Sequence, residues 1–295
     1  MPINQKINFY KMSGSGNDFI IIDNRKNYNE ILNQKINDKN FVKDICDRNN
    51  GIGADGIILL ENAKSKTCDF AMRIINSDGS EAEMCGNGAR CFTYFAYKIG
   101  ASKNIFMKFD TLSGQIEGGI ILDNEKKIVK VKLTDPHSID FEKNLDLPEL
   151  GKTKIYSIDT GVPHAVIFLD KTELDYIDVN KIGSFIRNHE IFAPKGTNVN
   201  FVKIIKNTKH DINVRTFERG VEGETLSCGS GASASAIIAS LQYNLYTPIS
   251  VHTKSGETLK VYFEKEIIAS NKKAIIKNVY LEGEIKIEFK DSFEV

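Results

Sequence analysis

The chain of 295 residues has no tryptophan, and none of its five cysteines stands in a CxxC pair. An odd set of thiols (Cys46, Cys68, Cys85, Cys91, Cys228) without paired spacing argues against a zinc knuckle or a disulfide framework. Neither sign of charge is in excess. Lys+Arg and Asp+Glu both number 39, so the basic surplus of a dedicated nucleic-acid binder is missing and no nucleic-acid partner is expected. No apolar run approaches the roughly 18 residues of a membrane-spanning helix, so no membrane partner is expected either. The opening "MPINQKINFYKMSGSG" is polar and Gly-rich rather than a signal peptide, which leads us to expect a cytoplasmic protein with reduced thiols. His137, His189, His210 and His252 show no metal-ligand spacing, and no metal site is expected.

What remains is an ordinary soluble composition, 41% apolar and 26% charged, in a chain about twice the usual domain length. "INFYKM" and "FIIID" read as strands around a Gly-rich turn, "NFVKDICDR" as a helix, and "GIILL" and "FAMRII" as strands bounded by turn residues. Phe92, Phe95, Ala96 and Ile99 recur at helical spacing and stop at Gly100. Strands are predicted again at "IFMKFDT", "GQIEGGIIL" and "KIVKVKLT", and the polar "TDPHSIDFEKNLDLPELGK" is the nearest thing to a linker. The order then repeats. "KIYSIDTGVPHAVIFLD" is strand, turn, strand; "VNKIGSFIRNH" takes the helix position; "GTNVNFV" answers "GADGIIL"; and "INVRTFERG" answers "FAMRIINSDG". "EAEMCGNGA" and "ETLSCGSGA", whose cysteines are 143 positions apart, share Glu, Cys, Gly, Gly and Ala, and a second helix follows from about Ser230 to Tyr243. Several segments in one register point to two similar α/β halves.

A cysteine at the start of a helix sits where unpaired N–H groups and the helix dipole favour negative charge. That placement favours thiolate over thiol, and the neighbouring glycines let an anionic ligand approach the free N–H groups. Two such turns facing each other across an interdomain cleft suit inversion at a carbon next to a carboxylate. One thiolate removes the proton and the opposite thiol returns one.

"KMSGSGNDFIIID", "GADGIILL", "RIINSDGSEAEMCGNGARC", "GTNVNFV" and "ERGVEGETLSCGSGA" together resemble diaminopimelate epimerase, in order and over nearly the whole chain. The resemblance implies a cofactor-independent isomerase that interconverts LL- and meso-diaminopimelate in lysine and peptidoglycan precursor synthesis. It implies an α/β (α+β) fold of two pseudo-symmetric halves, each mainly antiparallel sheet wrapped around a central helix, with the active site in the cleft between them. The expected division is 1–128 plus 277–295, carrying Cys85, and 129–276, carrying Cys228. The C-terminal strand is expected to pack on the first half, and the protein to form a homodimer.

By the same match Cys85 and Cys228 are the catalytic thiols, while Cys46, Cys68 and Cys91 read as buried packing. Gly86 and Asn87, and Gly229 with Ser230, match the helix-end turns that take the reacting carboxylate. Asn17, Asn76 and Asn198 match substrate-binding asparagines, although Asn beside Gly also favours turns on its own. Glu218 and Arg219 match a pair that holds the substrate's amino and distal groups, and His164 matches a histidine that tunes the thiols with Glu218. Three positions depart from the family. Val162 stands where an asparagine is common, Gly56 where some members have glutamine, and "ERGVEGET" is one residue longer than the commoner pattern, around Glu222. Those departures keep a second cysteine-pair reading open, a proline or hydroxyproline racemase. From other classes, a cysteine hydrolase with Cys228 as nucleophile and His164 as base is not excluded by spacing. A phosphate- or nucleotide-binding module is disfavoured, because neither Gly-rich turn fits a phosphate-loop pattern.

Overall fold

A computed structural model describes residues 6–25, 30–122, 126–170, 172–268 and 273–294; the first five residues of the polar N-terminal segment lie outside them. The chain forms two compact units, residues 1–131 with 283–295, and residues 132–282. In chain order the elements are β1 (Lys6–Gly14), β2 (Asn17–Asp23), α1 (Glu30–Asn37), α2 (Lys39–Cys46), β3 (Gly56–Asn62), β4 (Phe70–Asn76), β5 (Glu81–Ala82), α3 (Gly86–Lys98), β6 (Phe106–Thr111), β7 (Gly114–Leu122) and β8 (Lys127–Lys132). They continue with β9 (Ser138–Leu147), β10 (Gly151–Asp159), β11 (Pro163–Phe168), α4 (Val179–Arg187), β12 (Asn198–Ile204), β13 (Asp211–Glu218) and β14 (Gly223–Thr225). Last come α5 (Gly229–Tyr243), β15 (Ile249–His252), β16 (Thr258–Ile268), β17 (Lys273–Glu284) and β18 (Lys286–Glu294).

In the first unit β1 is antiparallel to β18 and to β2, β2 is parallel to β3, and β3 is antiparallel to β4. β4 pairs antiparallel with β5 and parallel with β6, and β6, β7 and β8 run on as an antiparallel meander. The second unit repeats this order. β10 is antiparallel to β9 and β11, β11 is parallel to β12, and β12 is antiparallel to β13. β13 pairs antiparallel with β14 and parallel with β15, and β15, β16 and β17 complete the meander. The repeat seen in the sequence is therefore a repeat of strand pairing. β18, the last strand, lies in the first unit against β1, with Lys6 opposite Glu294.

Each unit buries both faces of its central strands, which is why "FIIID" and "GIILL" are continuous apolar runs rather than alternating ones. Ile20, Ile22, Ile57 and Leu59 pack against Leu32 and Ile36 of α1 and Val42 and Ile45 of α2. The opposite face of the strands holds Phe19 and Ile58, which stand against Gly88 of α3. In the second unit Val199 and Phe201 pack with Ile182 and Ile186 of α4. α5 is buried from Gly231 to Ser240, so small residues all round its circumference let strands approach on every side.

One sequence expectation changes. The polar stretch taken as nearest to a linker is strand β9, paired with β10 in a hairpin from Leu147↔Gly151 onward. Its polar residues are the outer face of a period-two strand: Asn144 and Asp146 are exposed, while Leu145 and Leu147 join the core around α4. Helix α1 has only a weak sequence signal, because of the apolar residues in "EILNQKIN" only Leu32 and Ile36, one turn apart, are buried, while Ile31 is exposed.

Candidate functional site

The two cysteine turns take the same local form. Cys85 is the N-cap of α3 at φ −140° and ψ 117°, and its Sγ accepts the Gly88 N–H at 3.4 Å. Cys228 is the N-cap of α5 at φ −122° and ψ 113°, and its Sγ accepts the Gly231 N–H at 3.4 Å. In each turn the sulfur does what an N-cap oxygen ordinarily does, taking the N–H three residues on. The N–H groups of Gly86 and Asn87, and of Gly229 and Ser230, belong to a first helical turn that has no carbonyl one turn back to receive them. None of the five cysteines is in a disulfide. Cys91 is fully buried, and Cys46 is buried in the apolar core, where burial pushes its thiol up to about 11. Cys68 departs from the expectation of a buried hydrophobe. It is half-buried in the loop before β4, beside the Ser65, Thr67 and Asp110 side chains.

Around the first turn the partners are amides and charges. Asn87 is buried and donates to Asn17 Oδ1 at 2.7 Å; Asn17 in turn donates to Asp55 Oδ2 at 2.9 Å. Arg90, fully buried, donates from one Nη2 to Asn87 Oδ1 at 3.0 Å and to Ser15 Oγ at 2.7 Å. Arg48 bridges Asp18 and Asp55, and the buried Lys11 lies 2.8 Å from Asp18. Burial raises the Asp18 pKa, but Arg48 and Lys11 together hold its carboxyl below the ordinary 3.8. The structure thus brings Asn17 and Asn87 together. Asn76 is placed differently: it is exposed at the end of β4, and its amide donates within its own turn to Ser80 Oγ at 3.0 Å. Gly56 is fixed by packing, since a Cβ there would lie 2.4 Å from the Ile75 carbonyl oxygen, so this backbone leaves no room for a glutamine.

Around the second turn the nearest side chains are a hydroxyl and an imidazole, with the charges of Arg219 and Glu218 beyond them. Ser230 Oγ lies 3.5 Å from Cys228 Sγ and 3.0 Å from His164 Nε2. His164 is buried; burial first, and the Arg219 charge second, push its pKa down to about 3. It is therefore a neutral imidazole at physiological pH. Its Nδ1 lies 3.1 Å from Asn200 Nδ2. Asn198 is buried, and its Oδ1 accepts the backbone N–H of Arg219 at 2.7 Å. Arg219 itself donates from Nη1 to the Lys195 carbonyl at 3.0 Å. Glu218 accepts from Thr225 Oγ1 at 2.5 Å. The additional residue of this loop is accommodated by Glu222 in the left-handed region at φ 55°, where its carboxylate accepts from Gly220 N–H and from Arg187. Val162 is half-buried and offers no amide.

Sequence reasoning missed the residues that hold these groups: Asp55, Arg48 and Arg90 in the first unit, Asn200 and Thr216 in the second. Asn200 had a signal, being a second asparagine inside the apolar strand "NVNFV" on the same face as Asn198. Among the described residues no group of three or more His, Cys, Asp or Glu stands as a metal site, and no helix is long and apolar enough to cross a membrane.

The family model for diaminopimelate epimerase matches residues 9–139 and 156–272. A diaminopimelate epimerase of Hydrogenobaculum sp. is 49% identical over 261 residues, covering 87% of this chain and 91% of that protein. One of Aquifex aeolicus is 41% identical over 280 residues and 94% of each. Among solved structures, a Bacillus anthracis phenazine biosynthesis protein of the PhzF family superposes with a TM-score of 0.67 at 16% identity, over 99% of both chains. A probable proline racemase from Agrobacterium radiobacter gives a TM-score of 0.66 at 16% identity, over 97% of this chain and 92% of that one. At these identities the structural matches establish the fold alone.

Proposed function

We propose that this chain, which belongs to the diaminopimelate epimerase family, is an isomerase that interconverts LL- and meso-diaminopimelate by two-base proton transfer. The observation that carries it is the repeated N-cap cysteine, one at the head of a buried helix in each unit. One thiolate takes the α-proton and becomes a thiol, while the electron pair left on carbon is delocalised into the α-carboxylate. The second cysteine gives its S–H proton to the other face of that carbon and becomes the thiolate. The product leaves with inverted configuration and with the two sulfurs in exchanged protonation states, so no net proton is consumed. Two bases are required because a single one returns the proton to the face it left.

Gly86, Asn87, Gly229 and Ser230 present the helix-end N–H groups suited to the α-carboxylate, whose charge grows as the proton leaves. Asn17, Asn76, Asn198, Glu218 and Arg219 are assigned to the amino and distal groups, and Arg219 suits a carboxylate because its planar fork binds two oxygens at once. Val162 removes one amide from distal recognition, which leaves Asn198 and the Arg219 backbone it fixes to carry more of it. His164 and Glu218 are assigned to tuning the thiols. The reaction needs no cofactor, and we expect a cytoplasmic homodimer acting on a small molecule. The racemase alternative draws on fold likeness at 16% identity, whereas relatives at 41% and 49% identity carry the epimerase name.

Incubation with LL-diaminopimelate in deuterated water tests this directly. The expected result is meso product together with wash-in of solvent deuterium at the α-carbon and no release of a cleaved product. Turnover of proline instead, hydrolysis, or binding without exchange overturns the assignment.

A further inference from the structure

Asn200 lies midway along β12 with none of its surface exposed, on the face that meets α5. Its carboxamide fits only because residue 231 is glycine, since a Cβ there would stand 2.3 Å from Asn200 Oδ1 and 3.3 Å from Cys228 Sγ. The orientation of the amide is fixed chemically. One of its atoms lies 3.0 Å from the Ala165 carbonyl oxygen, which can only accept, so that atom is the nitrogen; Oδ1 then takes the Thr216 hydroxyl at 3.0 Å. The second N–H of Asn200 is aimed at His164 Nδ1, 3.1 Å away. A donor at Nδ1 makes that nitrogen the acceptor, and in a neutral imidazole the ring proton is then on Nε2. Nε2–H donates to Ser230 Oγ at 3.0 Å, and the serine proton is left to point at Cys228 Sγ, 3.5 Å away.

We propose that Asn200 is a positioning residue for the epimerase: it holds His164 as the Nε2–H tautomer, which commits the Ser230 hydroxyl to donate to the Cys228 sulfur. This rests on the epimerase assignment and extends it to a residue that acts through His164 and Ser230. The chain Asn200–His164–Ser230–Cys228 sets the direction of every hydrogen bond from a backbone carbonyl outward. It supplies the Cys228 thiolate with a donor besides the Gly231 N–H. With the opposite tautomer, Ser230 turns its proton back to Nε2 and presents only lone pairs to the sulfur, which disfavours the anion.

Nitrogen NMR of His164 in the isotope-labelled wild-type protein tests it, with LL-diaminopimelate turnover measured on the same sample. A protonated Nε2 with a bare Nδ1 is expected; a protonated Nδ1, or an imidazolium at neutral pH, overturns the proposal. Asn200→Leu removes the donor, so the Nδ1–H tautomer is expected to appear, with kcat down about tenfold, the worth of one hydrogen bond to a charged group, and KM within about twofold. Because both changes cut one chain, Asn200→Leu combined with Ser230→Ala is expected to be no slower than Ser230→Ala alone; additive losses overturn it. Should Asn200→Leu fail to fold, the wild-type spectrum still decides. An inactive wild type with the expected tautomer counts against the epimerase assignment and leaves the hydrogen-bond chain standing.

Discussion

The turn at Cys85 and the turn at Cys228 share backbone angles, cap bond and place in the strand order, yet their surroundings differ in kind. Behind Cys85 stand a buried guanidinium, two linked amides and a carboxylate pair bridged by Arg48. Behind Cys228 stand a neutral imidazole, a hydroxyl and an amide. The glycine three residues after each cysteine shows the same split. A Cβ at Gly88 would meet Ile58 Cδ1 at 3.0 Å and Phe19 Cζ at 3.5 Å, whereas one at Gly231 would meet the Asn200 carboxamide. Duplication has kept the part that a two-base reaction needs twice, a sulfur at a helix N-terminus. What varies is the way each sulfur is supported, so the two thiols proposed for equivalent work are held differently.

The largest test of equivalence is chemical. Cys85→Ala and Cys228→Ala should each lower kcat/KM for epimerisation by roughly 10³ or more, since each removes the acid or base for one face. Circular dichroism should show both variants folded, because an N-cap bond is worth only about 1 kcal/mol. A single variant that still inverts substrate at near wild-type rate breaks the symmetry of function and with it the two-base scheme.

How much of this was legible beforehand follows from what kind of interaction carries each feature. The cysteine turns were legible because Cys-Gly-x-Gly is local: N-cap, free N–H groups and close approach all lie within four residues. The central strands were legible because two buried faces leave an unbroken apolar run. β9 was misjudged because its outer face is polar, so composition hid a period of two that Leu145 and Leu147 carry. The support behind the sulfurs was out of reach for a different reason. Asn200 meets His164 across strands 36 positions apart, and Asn87 meets Asn17 across 70, so only strand pairing and helix placement create those contacts. The family resemblance supplied His164 without its proton, and tautomer is a property of neighbours that no motif records.

Packing should separate the turns next. Gly231→Ala drives a methyl into the Asn200 amide, which is already bonded on three sides, so a loss of about 2–3 kcal/mol is expected with disturbed activity. Gly88→Ala presses mainly on the tip of Ile58, which has a rotatable end, and gains some helix propensity; a change under about 1 kcal/mol is expected. Denaturant midpoints of the two variants give the comparison, and equal losses would mean that the two surroundings are mechanically alike.

Acid should separate the units themselves. His164 titrates near 6.5 when unfolded and at about 3 when folded, so below pH 6.5 the unfolded chain takes up a proton that the folded unit refuses. Its contribution is intact above 6.5 and is lost as pH falls toward 3, at up to about 1.4 kcal/mol per pH unit, or about 2 kcal/mol by pH 5. Asp18 in the first unit has its pKa lowered, so its contribution is present above the ordinary 3.8 and is lost only below it. The second unit should therefore weaken first on mild acidification. His164→Gln should flatten that dependence between pH 7 and pH 5; an unchanged slope would place the acid sensitivity elsewhere.

The smallest effect lies at the far ends of the two helices, away from the chemistry. α3 ends at Lys98 with Ile99 as its C-cap, and the chain leaves through Gly100 at φ 71°, where a Cβ would touch nothing within 4 Å. α5 ends at Tyr243 and is capped by Asn244, itself left-handed at φ 52° and exposed. With no packing at stake, only the cost of a side chain in the left-handed region remains, about 1 kcal/mol for alanine and less for asparagine, whose short polar group tolerates it. Gly100→Ala should thus lower the thermal midpoint slightly and Asn244→Gly should raise it by less, with neither altering turnover. Should Asn244→Gly destabilise instead, the asparagine side chain must be contributing a bond of its own, and the two helix ends would differ as their cysteine-bearing starts do.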